Sequence, residues 1–410
     1  MFYDIQSRRA KKSIQLRLYN ERRVLQTLRR FGPASKAEIA RQLNLTNAAM
    51  GSIVSSLEEK GLVYFGEKIH EGGRGQPATL IHLNGQAVFS IGVQIGRSKI
   101  ETILIDFDGN IISRLKHDRT LPKPKEALQI VEKDINSILE LLDEKKRNKL
   151  AGIGLAIPYS LDSWTEVLNL PKDTFALWKD YDFGKELQKS IGMPVYIEND
   201  GTSAAISALY FGVGKDINDF LYLYIGPAIG GGLVLNGEIV SGENGNAADV
   251  ASMPVPPSKL NSTKKPNSMF DIMLNRASLN VLKKHLRHNG VKVDSQNSLE
   301  EIIKSNNQYF KEWLEDSVDA LTHLIWSSTT LLDISTIVIS SADDAGLAET
   351  IKKKLDFSLS ANAPESCIVP QVIKAKFESN AASVGAASLP IFYSFSPSTG
   401  LLTTGISNEQ

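Results

Sequence analysis

The chain carries a single cysteine, Cys367, in 410 residues. That excludes an intrachain disulfide and any metal site built from several thiolates. No apolar run reaches the ~18 residues that suggest a membrane span. The first residues also lack the basic-then-apolar layout of a secretory signal. The expected location is the cytoplasm, with no membrane contact. The six histidines are scattered. His285 and His288, beside Lys283 and Lys284, read as solvated charge rather than a metal pair. An excess of one charge is lacking too, since 46 Lys+Arg balance 46 Asp+Glu. The balance is uneven along the chain. Residues 1–84 hold 14 Lys+Arg against 7 Asp+Glu, leaving 32 against 39 for the remainder. A basic front on an acidic body implies that only the front meets nucleic acid. Hydrophobic residues make up 42% and charged residues 22%. This is ordinary globular composition, and the length suggests two or three domains.

What is present begins with SKAEIARQLNLTNAAMGSIVSSLEEKGLVY, residues 35–64. Ser35-x-x-Glu38 is a capping box, in which hydroxyl and carboxylate satisfy free N–H groups at a helix start. Ile39, Ala40 and Leu43 follow at helical spacing. Leu45 closes a turn, and Thr46 or Asn47 can cap a second helix. That helix turns Met50, Ile53, Val54 and Leu57 to one face and stops at Gly61. Its other face carries Asn47, Ser52, Ser55 and Ser56. These short polar side chains can reach base edges or phosphates. Val63–Glu67 and Ala78–Asn84 read as paired strands around HEGGRGQP (residues 70–77). The pair is a wing with Arg74 and Gln76 near its tip, and an arginine there suits a narrow minor groove. Arg8 to Arg30 is basic on several faces. The bland alternative is a helical hairpin with no DNA role. The DNA-facing candidates are Ser35, Thr46, Asn47, Ser52, Ser55, Ser56, Arg74 and Gln76.

Beyond residue 85 the pattern changes. Phe89–Gly96, Lys99–Phe107 and Ile111–Arg114 predict a β-meander around the Asp108-Gly109-Asn110 turn. Pro124–Leu142 predicts an amphipathic helix. Ala151–Ile157 and Val195–Ile197 are buried strands, the latter delivering Glu198-Asn199-Asp200. A helix of small residues follows to Tyr210. The pattern then recurs. Leu221–Ile225 is a strand, Gly230-Gly231-Gly232 a tight turn, Leu233–Leu235 a strand and Asn236-Gly237 a hairpin turn. Thr336–Ile339 is a later strand, with a helix over Gly346–Leu355. Two similar halves imply a two-lobed α/β body, and such folds bind ligands in the cleft near the strand ends. Trp164 and Trp178 read as core residues, and Asp343-Asp344 as turn chemistry.

The winged helix with GRGQP, the Glu198–Asp200 triplet, the run GGGLVLNGEIVSGENG (residues 230–245) and VGAASLP from Val384 arrive in an order that resembles the ROK family. That family joins sugar-responsive repressors and sugar kinases. The resemblance spans nearly the whole chain. It implies a two-lobed actin/hexokinase-like (ribonuclease H-like) α/β body behind an N-terminal winged helix-turn-helix. The expected domains are 1–85, a first lobe at 86–200 completed by about 385–410, and a second lobe at 201–384. By resemblance, Asp200 stands where the family's kinases keep a catalytic base. Gln94 stands where they keep an acidic residue near the phosphates, and a neutral amide does not hold Mg²⁺ as a carboxylate does. Arg97 stands where they carry a small residue. Ser340-Ser341 replaces paired glycines of the adenosine motif. Gly230, Gly231 and Gly232 remain, as a phosphate-loop remnant or a plain turn. Ser252 replaces the zinc-binding histidine, and 256–268 holds no cysteine. No zinc, no ATP and no other cofactor is therefore expected.

The same resemblance implies a sugar pocket at Asn199, Asp200, Asp249 and Asp271, with Asp271 alternatively a helix cap. Tyr159 could stack on a sugar ring. The functional expectation is a transcriptional regulator, a repressor of carbohydrate genes without kinase activity. It would act as a homodimer or homotetramer on a double-stranded DNA operator, with a sugar or sugar phosphate as effector. The alternatives are an ATP-dependent sugar kinase using Asp200, or a regulator gated by a protein partner.

Overall fold

A computed structural model describes residues 2–69, 78–161, 171–293, 296–342 and 346–397. The expectations for Arg74, Gln76, Trp164 and Asp343-Asp344 fall outside these residues.

The chain opens on a long helix, α1 (Phe2–Phe31), then α2 (Lys36–Leu43) and α3 (Asn47–Glu59). The capping box forms as its spacing predicts. The Ser35 hydroxyl accepts from the Glu38 amide, and the Glu38 carboxylate accepts from the Ser35 amide at 2.7 Å. Asn44 in the left-handed conformation ends α2, and the Thr46 hydroxyl caps α3 by accepting from the Ala49 amide. Strands β1 (Ala34–Ser35), β2 (Val63–Ile69) and β3 (Ala78–Leu83) form an antiparallel sheet in the order β1-β3-β2. Ile39, Met50, Ile53, Val54, Leu57 and Ile81 are buried between helices and sheet. This is a winged helix.

The first lobe is a five-stranded sheet in the order β6-β5-β4-β7-β8. Its members are β4 (Phe89–Ile95), β5 (Lys99–Asp106), β6 (Ile111–Asp118), β7 (Leu150–Ala156) and β8 (Val195–Glu198). The first three form the antiparallel meander, while β7 runs parallel to β4 and β8 parallel to β7. Helix α4 (Pro124–Glu140) buries Val131, Ile135 and Ile138 in the core of this sheet. Next comes α5 (Asp200–Phe211), buried from Gly201 to Phe211.

The second lobe repeats the plan, in the order β11-β10-β9-β14-β15. Its strands are β9 (Phe220–Ile225), β10 (Ile229–Leu235), β11 (Glu238–Ile239), β14 (Thr336–Ser341) and β15 (Gln371–Lys374). A small ladder of β12 (Pro254–Val255) and β13 (Asp271–Ile272) lies beside it. Helices α6 (Leu279–His288) and α7 (Gln308–Leu332) contribute Leu282, Leu286, Trp313, Leu321 and Ile325 to its core. The last helix, α8 (Ala381–Phe395), packs on α5 and on the first sheet. The approach is close enough that a Cβ on Gly385 would lie 1.7 Å from the Ser203 carbonyl oxygen.

Two expectations fail in this fold. Gly230–Gly232 do not form a tight turn. They lie inside β10, paired with Tyr224, Leu223 and Tyr222 of β9. Their smallness serves packing instead: a Cβ on Gly201 would sit 2.3 Å from the Gly231 carbonyl oxygen. His285 is not solvated. It is fully buried, with Nδ1 against the Ser262 hydroxyl at 2.8 Å and Nε2 against Glu312 at 3.0 Å. Position 285 falls on the apolar stripe with Leu282 and Leu286, so helical phase outweighs the lysines in sequence. Trp178 is a core residue, its indole N–H donating to the Pro122 carbonyl.

Candidate functional site: a recognition helix and an interlobe cleft

On the winged helix, Thr46, Asn47, Ser52 and Ser55 are exposed along α3. They form one polar edge. Arg41 and Gln42 are also exposed at the end of α2. Two sequence candidates do not belong to this surface. Ser35 is buried and occupied as the cap of α2. Ser56 is 8% exposed and donates to Glu21 of α1 at 2.9 Å. Glu21 also receives Lys60 at 2.6 Å. A serine at 56 lies on the inward side of the helix, one residue from Leu57, and binds a buried carboxylate rather than DNA.

Three basic side chains of α1, Arg22, Arg29 and Arg30, are likewise spent on the protein itself, which charge alone does not reveal. Arg29 is packed over Phe107, Tyr210 and Phe211, with its guanidinium carbon 4.6, 5.2 and 5.5 Å from the ring centroids. It donates to the Phe107 carbonyl. Burial holds this guanidinium below its ordinary pKa. Arg22 donates to the Ser396 carbonyl at 3.1 Å, and Arg30 to the Lys215 carbonyl at 3.0 Å and the Asn218 amide oxygen at 2.8 Å. Val24, Leu25 and Leu28 join the winged-helix core and the α5–α8 core in one continuous apolar cluster.

Between the lobes lies a cavity of about 1030 Å³. Its lining includes Gln94, Arg97, Tyr159, Asn199, Asp200 and Asp249. Asn199 caps α5, its side-chain oxygen accepting from the Gly201 amide at 2.8 Å. Asp200 opens α5 and accepts from the same amide at 2.9 Å. Dehydration by the surrounding protein raises the Asp200 pKa, against opposing pulls from Arg97 and the Gly201 amide. Asp249 accepts from the Ser252 hydroxyl at 2.8 Å and faces the cavity from the second lobe. Gly230 and Gly231 line the same wall. Asp271 does not reach it. Asp271 is buried in β13 and accepts from the Ile272 amide and the Asn275 side chain, both at 2.8 Å. These two local donors occupy the carboxylate, and the helix that follows, Leu274–Ala277, has no side-chain cap, so Asp271 is not a helix cap either.

Behind the cavity wall, Glu101 is fully buried. It binds Lys99 at 3.2 Å, Arg114 at 2.7 Å and the Ser383 hydroxyl of α8. Burial opposes its ionisation, but Lys99, Ser383 and Arg114 together hold its pKa below the ordinary range. Glu198, the residue before Asn199, accepts from the Tyr393 hydroxyl of α8 at 3.1 Å. Burial raises the Glu198 pKa. Burial, with the Glu198 carboxylate beside it, pushes the Tyr393 hydroxyl up to about 12. Helices α5 and α8 thus each carry contacts from the cleft at one end to α1 at the other.

Known proteins share this architecture. Residues 19–67 match the MarR family, and residues 90–391 match the ROK family. The xylose repressor of Bacillus spizizenii is 27% identical over 237 residues, 58% of this chain and 60% of that protein. The DNA-binding transcriptional dual regulator NagC of Escherichia coli is 25% identical over 242 residues, 58% of each chain. The chain thus spans about three fifths of the length of these curated relatives. The crystal structure of a ROK family transcriptional regulator, a homologue of the E. coli MLC protein, superposes with a TM-score of 0.67 at 20% identity. It covers 95% of this chain and 98% of that one. A ROK family glucokinase from Streptomyces griseus, solved with glucose and AMPPNP, superposes at 0.59 with 19% identity over 73% of this chain and 98% of that one. The body therefore has the actin-like fold of both regulators and kinases, behind a winged helix, and the chain belongs to the ROK family.

Proposed function

We propose that this protein is a DNA-binding transcriptional regulator, a repressor of carbohydrate genes, gated by a sugar-derived effector in the interlobe cleft. One observation carries the reading. Helix α5 begins in the cleft at Asp200 and ends at Tyr210 and Phe211, which hold Arg29 of the helix leading into the winged domain. Its twelve residues span about 18 Å. A ligand that prefers one lobe arrangement would shift α5, and with it α1 and the recognition helix. Xylose repressors and NagC among the relatives support the choice of regulator and of sugar. The operator would be double-stranded DNA read by a dimer or a larger symmetric assembly.

The reading includes no kinase activity and no bound metal or nucleotide. Gln94 offers an amide where Mg²⁺–phosphate chemistry needs a carboxylate. Ser252 donates its hydroxyl to Asp249 and brings no imidazole. A sugar kinase remains the second reading, because Asp200 is held in a dehydrated site at the cleft floor. Fluorescence anisotropy on DNA upstream of the gene, at fixed salt and with a sugar panel, tests the first reading. Binding that one sugar weakens is the expected result. Binding that no sugar moves points to a protein partner instead. ADP release with a hexose, abolished by Asp200→Asn, would overturn the regulator reading in favour of catalysis. Affinity should also fall steeply with salt, as phosphate-contacting proteins do.

A further inference from the structure

The cleft is lined by more cations than a neutral sugar needs. Arg97, Lys99, Lys116 and Arg119 approach from the first lobe, and Lys283 and Arg287 from α6 of the second. The acidic groups on the same walls are Asp118, Asp200, Asp249 and Glu300. Some of this charge is already matched. Lys116 pairs with Asp118 at 2.8 Å, and Lys99 serves Glu101 and the Ser379 carbonyl. The α6 pair is different. Lys283 and Arg287 are one helical turn apart, and Arg287 donates to the Val293 carbonyl at 3.2 Å. Among the described residues neither forms an ion pair with a carboxylate, Glu300 included. Burial and the neighbouring guanidinium both lower the Lys283 pKa, so a half-buried ammonium lies beside an exposed guanidinium with no counter-ion among the described residues. An independent observation lies in the first lobe. Gln94 is 4% exposed and lines the cavity, and its enclosed Oε1 has no donor among the described residues. A buried acceptor of that kind calls for a partner, which a ligand hydroxyl would supply if the amide turned toward the cavity. The cavity, at about 1030 Å³, is roomy for one sugar ring and leaves space for an appended group.

We propose that the effector is an anionic sugar derivative, its phosphate or carboxylate held by Lys283 and Arg287 and its hydroxyls directed to Gln94, Asn199 and Asp200. This rests on the reading of the cleft as a sugar-effector site. A point charge and a guanidinium side by side suit a tetrahedral phosphomonoester or a planar carboxylate.

The test is isothermal titration of the full chain with glucose, xylose and N-acetylglucosamine, their phosphomonoesters, the corresponding aldonates, inorganic phosphate and ATP. The Lys283→Gln/Arg287→Gln double variant runs alongside, its folding checked by its melting temperature. A phosphomonoester or aldonate should bind well above its parent sugar. The double variant should lose about 10-fold to 100-fold of that affinity. Arg287→Lys, which keeps the charge, should retain most of it. Inhibition by inorganic phosphate would assign a phosphomonoester, and its absence with aldonate binding a carboxylate. Binding of neutral sugars alone, binding of no panel member, nucleotide binding that the double variant abolishes, or unchanged anion affinity in that variant would each overturn the proposal. Operator anisotropy on the same samples separates the two readings. A charged sugar that binds at Lys283 and Arg287 without moving DNA affinity supports the subsite and sinks the regulatory reading.

Discussion

Two serines one turn apart show how a residue's phase decides its work. Ser52 and Ser56 are both short, polar and on α3, yet Ser52 is exposed and Ser56 is bonded to buried Glu21. Ser56→Ala should cost about 1.5–3 kcal/mol, the range for a hydrogen bond to a charged group. Ser52→Ala should leave stability within about 0.5 kcal/mol and weaken operator binding. Chemical denaturation and DNA anisotropy on both variants check the pair. Asp200 illustrates a residue held at a cost to stability. Its folded pKa is raised, so the folded state binds its proton more tightly than the unfolded chain does. That contribution is present at low pH and is lost as pH rises through the folded pKa. Asp200→Asn should therefore melt higher than wild type at pH 7. The gap should close as pH falls through the raised pKa, where wild type is neutral as well. The same variant should lose the response to sugar. Melting curves across pH, with and without effector, read both effects.

At the scale of elements, α1 carries the coupling between domains. Its positive charge suggests DNA contact, but Arg22, Arg29 and Arg30 are committed to the body. Arg29→Ala should weaken docking of α1 by about 2 kcal/mol, the size of a desolvated cation–aromatic contact. Operator binding should survive, because α2 and α3 keep their own core. The sugar effect on DNA affinity should shrink, and amide exchange in α1 should quicken. An unchanged sugar response in Arg29→Ala would remove α1 from the signalling route. Within α3, Gly51 has open space where a Cβ would stand. Gly51→Ala should stabilise the winged helix by about 0.4–1 kcal/mol, by reducing the freedom of the unfolded chain.

The whole molecule depends on two helices packed backbone to backbone between two sheets. Gly385 of α8 meets the Ser203 carbonyl of α5, and Gly201 of α5 meets Gly231 of β10. Gly385→Ala has no room and should cost at least about 1–3 kcal/mol, as overpacking does. Because α5 floors the cleft and α8 supports it from behind, through Ser383 on Glu101 and Tyr393 on Glu198, effector affinity should fall together with the melting temperature. A variant that melts like wild type would show that the two helices separate more easily than their contact implies.

Much of this molecule is legible in the order of its residues. The capping box, the apolar phase of α3, the meander and the repeated strand–helix order are local patterns of period 3.6 or 2, which a chain displays residue by residue. The Glu198–Asp200 triplet puts Asn199 and Asp200 at the mouth of a strand, where the cleft opens. Other features depend on distance in space. Ser56 and His285 are polar by name and buried by phase. Asp271 is an acid near the family position, yet its neighbours Ile272 and Asn275 satisfy it. The glycines at 230–232 read as a turn because glycine permits turns, while what requires them is the approach of another backbone. Arg29 and the Lys283–Arg287 pair carry no signal in their own segments. Charge along a sequence counts ions, and only the tertiary structure decides which of them meet rings, carbonyls, each other or the cleft.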